Sequence, residues 1–302
     1  MSDTIIQGHQ LTKRFGRVMA LDGAELVVEQ GQIHGFLGPN GAGKSTTIRA
    51  LLGQISLTSG ELSVFGQHPR DEAVAIHRRL AYVPGDVSLW PGLSGGECLD
   101  LLGRFHGAEN RERRGRLIEE FGLDVRKKAR TYSKGNRQKV ALIAALALDV
   151  DLYVFDEPTS GLDPLMEVTF QRAVRELADD GATVLLSSHI LDEVEALCSH
   201  VTILREGRTI STGSLEDLRQ ATTTTIAATL PDAASAEALE NRLDGVDTEV
   251  TTDATGSHLT VRVERARVAD TVRRVADADP LSLVVRPPSL DELFLEHYEV
   301  SR

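Results

Sequence analysis

Nine consecutive residues, Gly38, Pro39, Asn40, Gly41, Ala42, Gly43, Lys44, Ser45 and Thr46, have the composition of a phosphate cradle. They fit GxxxxGK[ST], in which glycines let backbone N–H groups curl round phosphate oxygens, a lysine reaches the outer phosphates and a hydroxyl holds magnesium. Lys44 is then the phosphate-binding cation and Ser45 a magnesium ligand. Short glycine-rich loops are common, so this reading needs a strand ending before Gly38 and a helix opening after it, whose N-terminus adds positive potential. A second group, Asp156 and Glu157, follows an apolar run at 152–155. Paired acids are more often just solvated loop residues. Here the apolar run delivers them together and Pro158 turns the chain away, so that Asp156 can bind magnesium through water and Glu157 can polarise a water in line with a γ-phosphate.

These groups need a scaffold that brings strand ends together. The first two hundred residues alternate short β-rich runs with longer helical patterns, the signature of an α/β domain built on a largely parallel sheet. Three runs matter: Ile33–Leu37 before the glycine-rich loop, 152–155 before the acids, and 183–186 before Ser187, Ser188 and His189. In open α/β sheets ligands bind beyond the carboxyl ends of the strands. Between about 93 and 148 strand signals nearly vanish, which predicts a helical subdomain. VTILREGRTIS, at 201–211, predicts a hairpin around Glu206, Gly207 and Arg208. The nucleotide-binding domain is expected over 1–219 and a second domain over 220–302. In the latter the pattern predicts strands at 222–230, 248–252, 258–263 and 281–286 and helices at 233–243 and 267–278. That βαββαβ order is ferredoxin-like, α+β. Pro287 and Pro288 then break the chain, and Ser289 with Glu292 forms a capping box for a last helix at 289–298.

Taken with further motifs in the same order, the cradle and the acids resemble those of the ATPase subunits of ABC transporters, over residues 5 to about 219. The resemblance implies a P-loop NTPase fold of the ABC type, ATP and Mg2+ as cofactors, and roles for more residues. Phe15, in LTKRFG, takes the place of the aromatic that stacks on adenine. TYSKGNRQKV stands where the family's signature segment binds the γ-phosphate of ATP held by the opposite protomer, so Ser133, Lys134, Gly135 and Asn136 would bind ATP in trans. The usual LSGGQ reads YSKGN here, a variant similar to those of multidrug, daunorubicin and tetronasin-type exporter ATPases. His189 fits the switch histidine that senses the γ-phosphate and shares catalysis with Glu157, and Asp163 fits the loop that couples the two sites of a dimer. LSGGE, at 93–97, is closer to the consensus, but Ser94 lies 62 residues before Asp156 against 23 for Ser133. It reads instead as a helix cap, with Glu97 at the capping-box position. One departure stands out. Where the family carries a glutamine that approaches magnesium, AYVPGDVSLWP offers Gly85 and then Asp86; either Asp86 takes over or water serves. Trp90 is as well suited to the core as to contact with a membrane subunit.

Composition bounds the alternatives. Hydrophobic residues at 41% and charged residues at 26% describe a globular chain with a sizeable core. Net charge of −12 disfavours nucleic acid as a partner. No apolar run reaches the length that crosses a bilayer and no secretory signal is visible, so a place on the cytoplasmic face of the cell membrane is expected, held there by an integral membrane permease subunit. Cys98 and Cys198 read as incidental reduced thiols. A single nucleotide domain per chain implies a homodimer or a paired half-subunit. The family reading implies export of a drug, antibiotic or other hydrophobic substrate; an import ATPase and a soluble ABC-type ATPase of DNA repair or translation are the alternatives. A repair enzyme would carry a long coiled coil between the cradle and the acids, where no sustained heptads occur. The tail, with PSLDELFL, resembles the accessory domain of some drug-exporter ATPases.

Overall fold

The computed structural model describes residues 3–220, 224–243, 246–253 and 256–286, and the predicted helix at 289–298 lies outside them. Two compact units divide the chain, Met1–Gly213 and Ser214–Arg302. The division falls a few residues ahead of the boundary expected from sequence, because the helix Leu215–Gln220 groups with the second unit.

The first unit contains strands β1 (Thr4–Phe15), β2 (Val18–Glu29), β3 (Ile33–Leu37), β4 (Ser59–Val64), β5 (Leu80–Val83), β6 (Leu152–Asp156), β7 (Thr183–Ser188), β8 (His200–Arg205) and β9 (Arg208–Ser214). Its helices are α1 (Lys44–Leu51), α2 (Ala73–His77), α3 (Gly95–His106), α4 (Arg111–Glu120), α5 (Lys134–Leu146), α6 (Pro164–Asp179) and α7 (Leu191–Leu197). A six-stranded sheet runs in the order β5-β6-β7-β3-β8-β9, with β5 through β8 parallel. Every residue of β3, β6 and β7 is buried. Strands covered on both faces read as unbroken apolar runs, which is why these three stand out in the sequence. The register sets Leu37 beside Ser188 and Asp156 beside Ser187, so the ends of β3, β7 and β6 lie side by side. The hairpin expected at 201–211 is β8 and β9, with Glu206 and Gly207 turning at φ 49° and 78°.

A three-stranded antiparallel sheet, β2-β1-β4, was not anticipated as a separate layer. Sequence pattern identifies strands but not which sheet they join; that choice follows from which apolar faces can be buried together. Leu11, Leu21, Leu26 and Val28 of this layer share a core with Ile48 and Leu51 of α1 and Val154 of β6. Between residues 95 and 146 the named elements are helices alone, α3, α4, a short 3-10 turn and α5. No helix among the described residues is long and apolar enough to cross a membrane.

The second unit opens with α8 (Leu215–Gln220) and continues as β10 (Thr224–Leu230), α9 (Ala233–Glu240), β11 (Asp247–Asp253), β12 (Gly256–Val263), α10 (Val268–Ala276) and β13 (Ser282–Arg286). The sheet order β11-β12-β10-β13 is antiparallel throughout. This is the ferredoxin-like arrangement, with β10 and β12 central. Its own core gathers Ile226, Leu230, Leu239, Leu259, Val261 and Val275.

Candidate functional site

The cradle spans the gap between β3 and α1. Gly38 is fixed by crowding, since a Cβ there would come 2.3 Å from the Leu204 carbonyl oxygen. Gly43 caps α1 at φ 112°, where an added Cβ would meet the Ala20 carbonyl oxygen at 2.8 Å. Only glycine suits either position. Pro39 accepts the Ala42 N–H at 3.1 Å, folding the loop, while Asn40 and Gly41 face solvent. Lys44 is 5% exposed. Its Nζ donates to the carbonyls of Gly38 (2.6 Å) and Pro39 (3.2 Å) and lies 3.6 Å from Glu157 Oε1. Burial pulls the pKa of Lys44 below that of an ordinary lysine, against the opposing charges of Glu157 and Asp156. Ser45 is exposed in the first turn of α1, with Thr46 half-buried beside it.

At the end of β6, Asp156 is buried and its Oδ1 accepts the Ser187 hydroxyl at 2.5 Å. Glu157 sits at φ 49°, in the left-handed region. Its N–H donates to the carbonyl and the hydroxyl of Ser187, at 3.1 and 3.2 Å. Beyond the end of β7, His189 Nδ1 lies 3.3 Å from Glu157 Oε1. The structure therefore brings Lys44, Asp156, Glu157 and His189 into one cluster. Ser187 is the residue that sequence reasoning missed. A serine at a strand end carries no distinguishing pattern, and its place opposite Asp156 follows from the β6–β7 register. Tyr82, on β5, belongs to the same neighbourhood: burial and then the Asp156 charge push its hydroxyl up to about 12.

Ser133 caps α5, its Oγ accepting the Asn136 N–H at 3.2 Å. Hydrogen bonds from this helix start run to the loop after Glu157. Lys134 Nζ donates to Ser160 Oγ (2.7 Å) and Gln138 Nε2 to the Pro158 carbonyl (2.9 Å). A Cβ on Gly135 would come 2.4 Å from the Gly161 carbonyl oxygen. Asp163 caps α6 by accepting the Met166 N–H at 3.1 Å. Ser94 caps α3 in a reciprocal capping box with Glu97, as its sequence context implies. Phe15 ends β1 at 48% exposure, with Lys13 Nζ 4.9 Å from its ring centroid.

Gly85 leaves β5 against the cluster of Lys44, Asp156, Glu157 and His189: a Cβ there would lie 3.1 Å from the Asp156 carbonyl oxygen and 3.7 Å from the Glu157 Cβ. Asp86 is exposed. The same stretch borders a groove of about 780 Å3 lined by Val74, Tyr82, Trp90, Leu102, Phe105 and Ala144 among others. Trp90 is 44% exposed on that groove, so it is not a core residue. Cys98 and Cys198 are buried free thiols.

The ABC transporter family profile matches residues 21–160. The chain is 35% identical to the daunorubicin/doxorubicin resistance ATP-binding protein DrrA of Streptomyces peucetius, over 96% of this chain and 91% of that protein. It is 35% identical to the bacitracin transport ATP-binding protein BcrA of Bacillus licheniformis, over 72% of each. Its fold matches the solved structure of an ATP-binding subunit of an ABC transporter with a TM-score of 0.67 at 34% identity, covering 71% of this chain and 92% of that one. A phosphate cradle, an acidic pair and a histidine brought together at the ends of adjacent strands, in a chain this similar to DrrA along almost its whole length, mean that the protein belongs to the ATP-binding, ATP-hydrolysing subunits of ABC transporters.

Proposed function

We propose that the chain powers export of a drug, antibiotic or other hydrophobic compound through a separate membrane subunit, by closing and reopening as a pair over two ATP molecules. Each copy offers its cradle and acids to one nucleotide and the helix start at Ser133 to the other. In this reading Lys44 exchanges its present partners, the Gly38 and Pro39 carbonyls, for phosphate oxygens. Glu157 polarises the attacking water and His189, on the same carboxylate oxygen, orients both. Phe15 stacks on the adenine, and Ser133, Lys134, Gly135, Asn136 and Asp163 act across the pair. The observation that carries the proposal is the convergence of Lys44 (3.6 Å) and His189 (3.3 Å) on one oxygen of Glu157.

The site fits magnesium, since Ser45 supplies an exposed hydroxyl and Asp156 a carboxylate held by Ser187, both hard oxygen donors. When bound, the ion would neutralise charge developing on the β- and γ-phosphate oxygens. Export is supported by the similarity to DrrA and BcrA, whose names describe drug resistance and bacitracin transport. The groove beside Trp90 is the docking place we assign to a cytoplasmic segment of the membrane subunit. Its lining is mostly apolar, and two of its residues, Pro84 and Val87, flank Gly85, whose would-be Cβ lies 3.1 Å from the Asp156 carbonyl oxygen. Docking there would hold the chain peripherally on the cytoplasmic face of the membrane.

ATP hydrolysis and dimerisation, measured on the same samples with Mg2+, test the proposal. Wild type turns over, while Glu157→Gln binds ATP, loses turnover by a factor of about 10²–10⁴ and accumulates as a dimer. Wild-type turnover in that variant would remove Glu157 from the mechanism.

A further inference from the structure

Glu193 is the one acid of the α7 start that turns inward, and the cluster described above does not use it. It is 8% exposed. Its two carboxylate oxygens accept hydroxyls from different loops: Oε1 from Thr159 at 2.5 Å and Oε2 from Ser188 at 2.6 Å. Thr159 belongs to the loop that follows Glu157. Ser188 precedes His189, and its Oγ also accepts the Ile190 N–H at 2.9 Å, so it folds the chain around the histidine. The Glu193 charge is felt nearby, adding to the burial that raises the pKa of Glu167 and Cys198. Burying a carboxylate is costly unless hydrogen bonds compensate, and here both bonds depend on two loops keeping one relative position.

The loop held by Thr159 is also the loop that anchors the helix start of Ser133. Pro158 accepts from Gln138, Ser160 from Lys134, and the Gly161 carbonyl packs under Gly135. Residues 158–161 are therefore a junction with two sets of attachments, α5 on one side and, through Glu193, the His189 turn on the other.

We infer that Glu193 is a positioning residue that links the His189 turn to the 158–161 loop, so that ATP bound at one site sets the placement of the helix start that the same chain offers to the other. The inference rests on the two-site reading above. A displacement of His189 toward a γ-phosphate moves Ser188, and the Glu193 carboxylate carries that shift to Thr159 and hence to Gly161 and Gly135. The link requires two acceptor oxygens at fixed reach, which a carboxylate supplies and an alanine does not.

The test uses the full chain in a Glu157→Gln background, where ATP-bound pairs accumulate. Two quantities are read: nucleotide affinity of the dilute monomer, by titration with a fluorescent ATP analogue, and the ATP concentration for half-maximal dimerisation. Adding Glu193→Ala should leave the monomer affinity within about twofold and raise the dimerisation midpoint about tenfold. Thr159→Val, which keeps the side-chain volume and removes one of the two bonds, should give a smaller shift in the same direction, and joining it to Glu193→Ala should add little. An unchanged midpoint in Glu193→Ala overturns the inference. So does a parallel loss of monomer affinity and midpoint, which marks general damage. If the Glu157→Gln protein forms no ATP-dependent pairs, the two-site reading has failed and the link fails with it; if it forms pairs while Glu193→Ala changes nothing, only the link has failed.

Discussion

Glu157 holds a backbone conformation that costs a non-glycine residue on the order of 1–2 kcal/mol. The Ser187 carbonyl and hydroxyl hold it there by accepting the Glu157 N–H, and the same hydroxyl donates to Asp156. One serine thus orients both acids. With Asp156 as the proposed magnesium ligand, Ser187→Ala should raise the Mg2+ concentration needed for half-maximal hydrolysis by about 10–100-fold, the usual effect of removing a support behind a metal ligand, and Ser187→Thr should restore part of it. An unchanged Mg2+ requirement would show that Asp156 is held by other contacts. As candidates, Asp156, Glu157 and His189 could be singled out in the sequence because each ends or follows an apolar run, and Lys44 because of the glycine spacing before it. Ser187 and Glu193 were not: their roles are hydrogen bonds between strands and loops far apart in the chain.

Two elements carry predictions of their own. The start of α5 approaches the 158–161 loop so closely that Gly135→Ala must displace backbone. The variant should lose about 1–3 kcal/mol of stability, read as a lower urea midpoint, and should pair poorly with ATP because Ser133 and Asn136 move with the helix start. A wild-type midpoint would mean that the loop gives way freely. On β3, His34 is buried with Nε2 against Thr202 Oγ1 and, among the described residues, no hydrogen-bond partner for Nδ1. Burial, and secondarily the charge of His200, lowers its pKa from the ordinary 6.5 to about 3. Below about pH 6.5 the unfolded chain takes up a proton here that the folded chain refuses until about pH 3, so stability falls as pH drops through that window. The slope from this group is at most about 1.4 kcal/mol per pH unit. His34→Leu abolishes that uptake, and Thr202 keeps Thr212 as a partner. The urea midpoint of the first unit should therefore fall more steeply in wild type than in the variant between about pH 6 and 5. Parallel slopes would show that His34 is protonated in the folded state.

Across the whole molecule, the two units differ in what they can do alone. The second has its own apolar core, a complete four-stranded sheet and helices α9 and α10 packed on that core. A fragment of residues 214–302 should fold by itself, with a cooperative urea transition followed by circular dichroism; a featureless, non-cooperative trace would show that it depends on the first unit. The groove of the first unit makes a different demand, since Val74 and Phe105 expose apolar side chains along it. Phe105→Asp should reduce co-purification with the membrane subunit about tenfold or more if that subunit docks there, and equal recovery would place the contact elsewhere. Much of this plan could be read in advance from the sequence. Unbroken apolar runs marked the buried parallel strands because both their faces are covered, and the βαββαβ order of the tail showed in its switches between strand-type and helix-type patterns. Glycine spacing marked the cradle because only glycine tolerates carbonyls at 2.3 and 2.8 Å from a would-be Cβ. Tertiary structure alone decided that β1, β2 and β4 form a separate antiparallel layer, that the chain divides at Gly213, and that Ser187 and Glu193 lie behind the loops that carry Glu157 and His189. Local pattern records which face of an element is apolar; which elements meet, and which hydroxyl comes to rest beneath which carboxylate, is settled only when distant strands come into register.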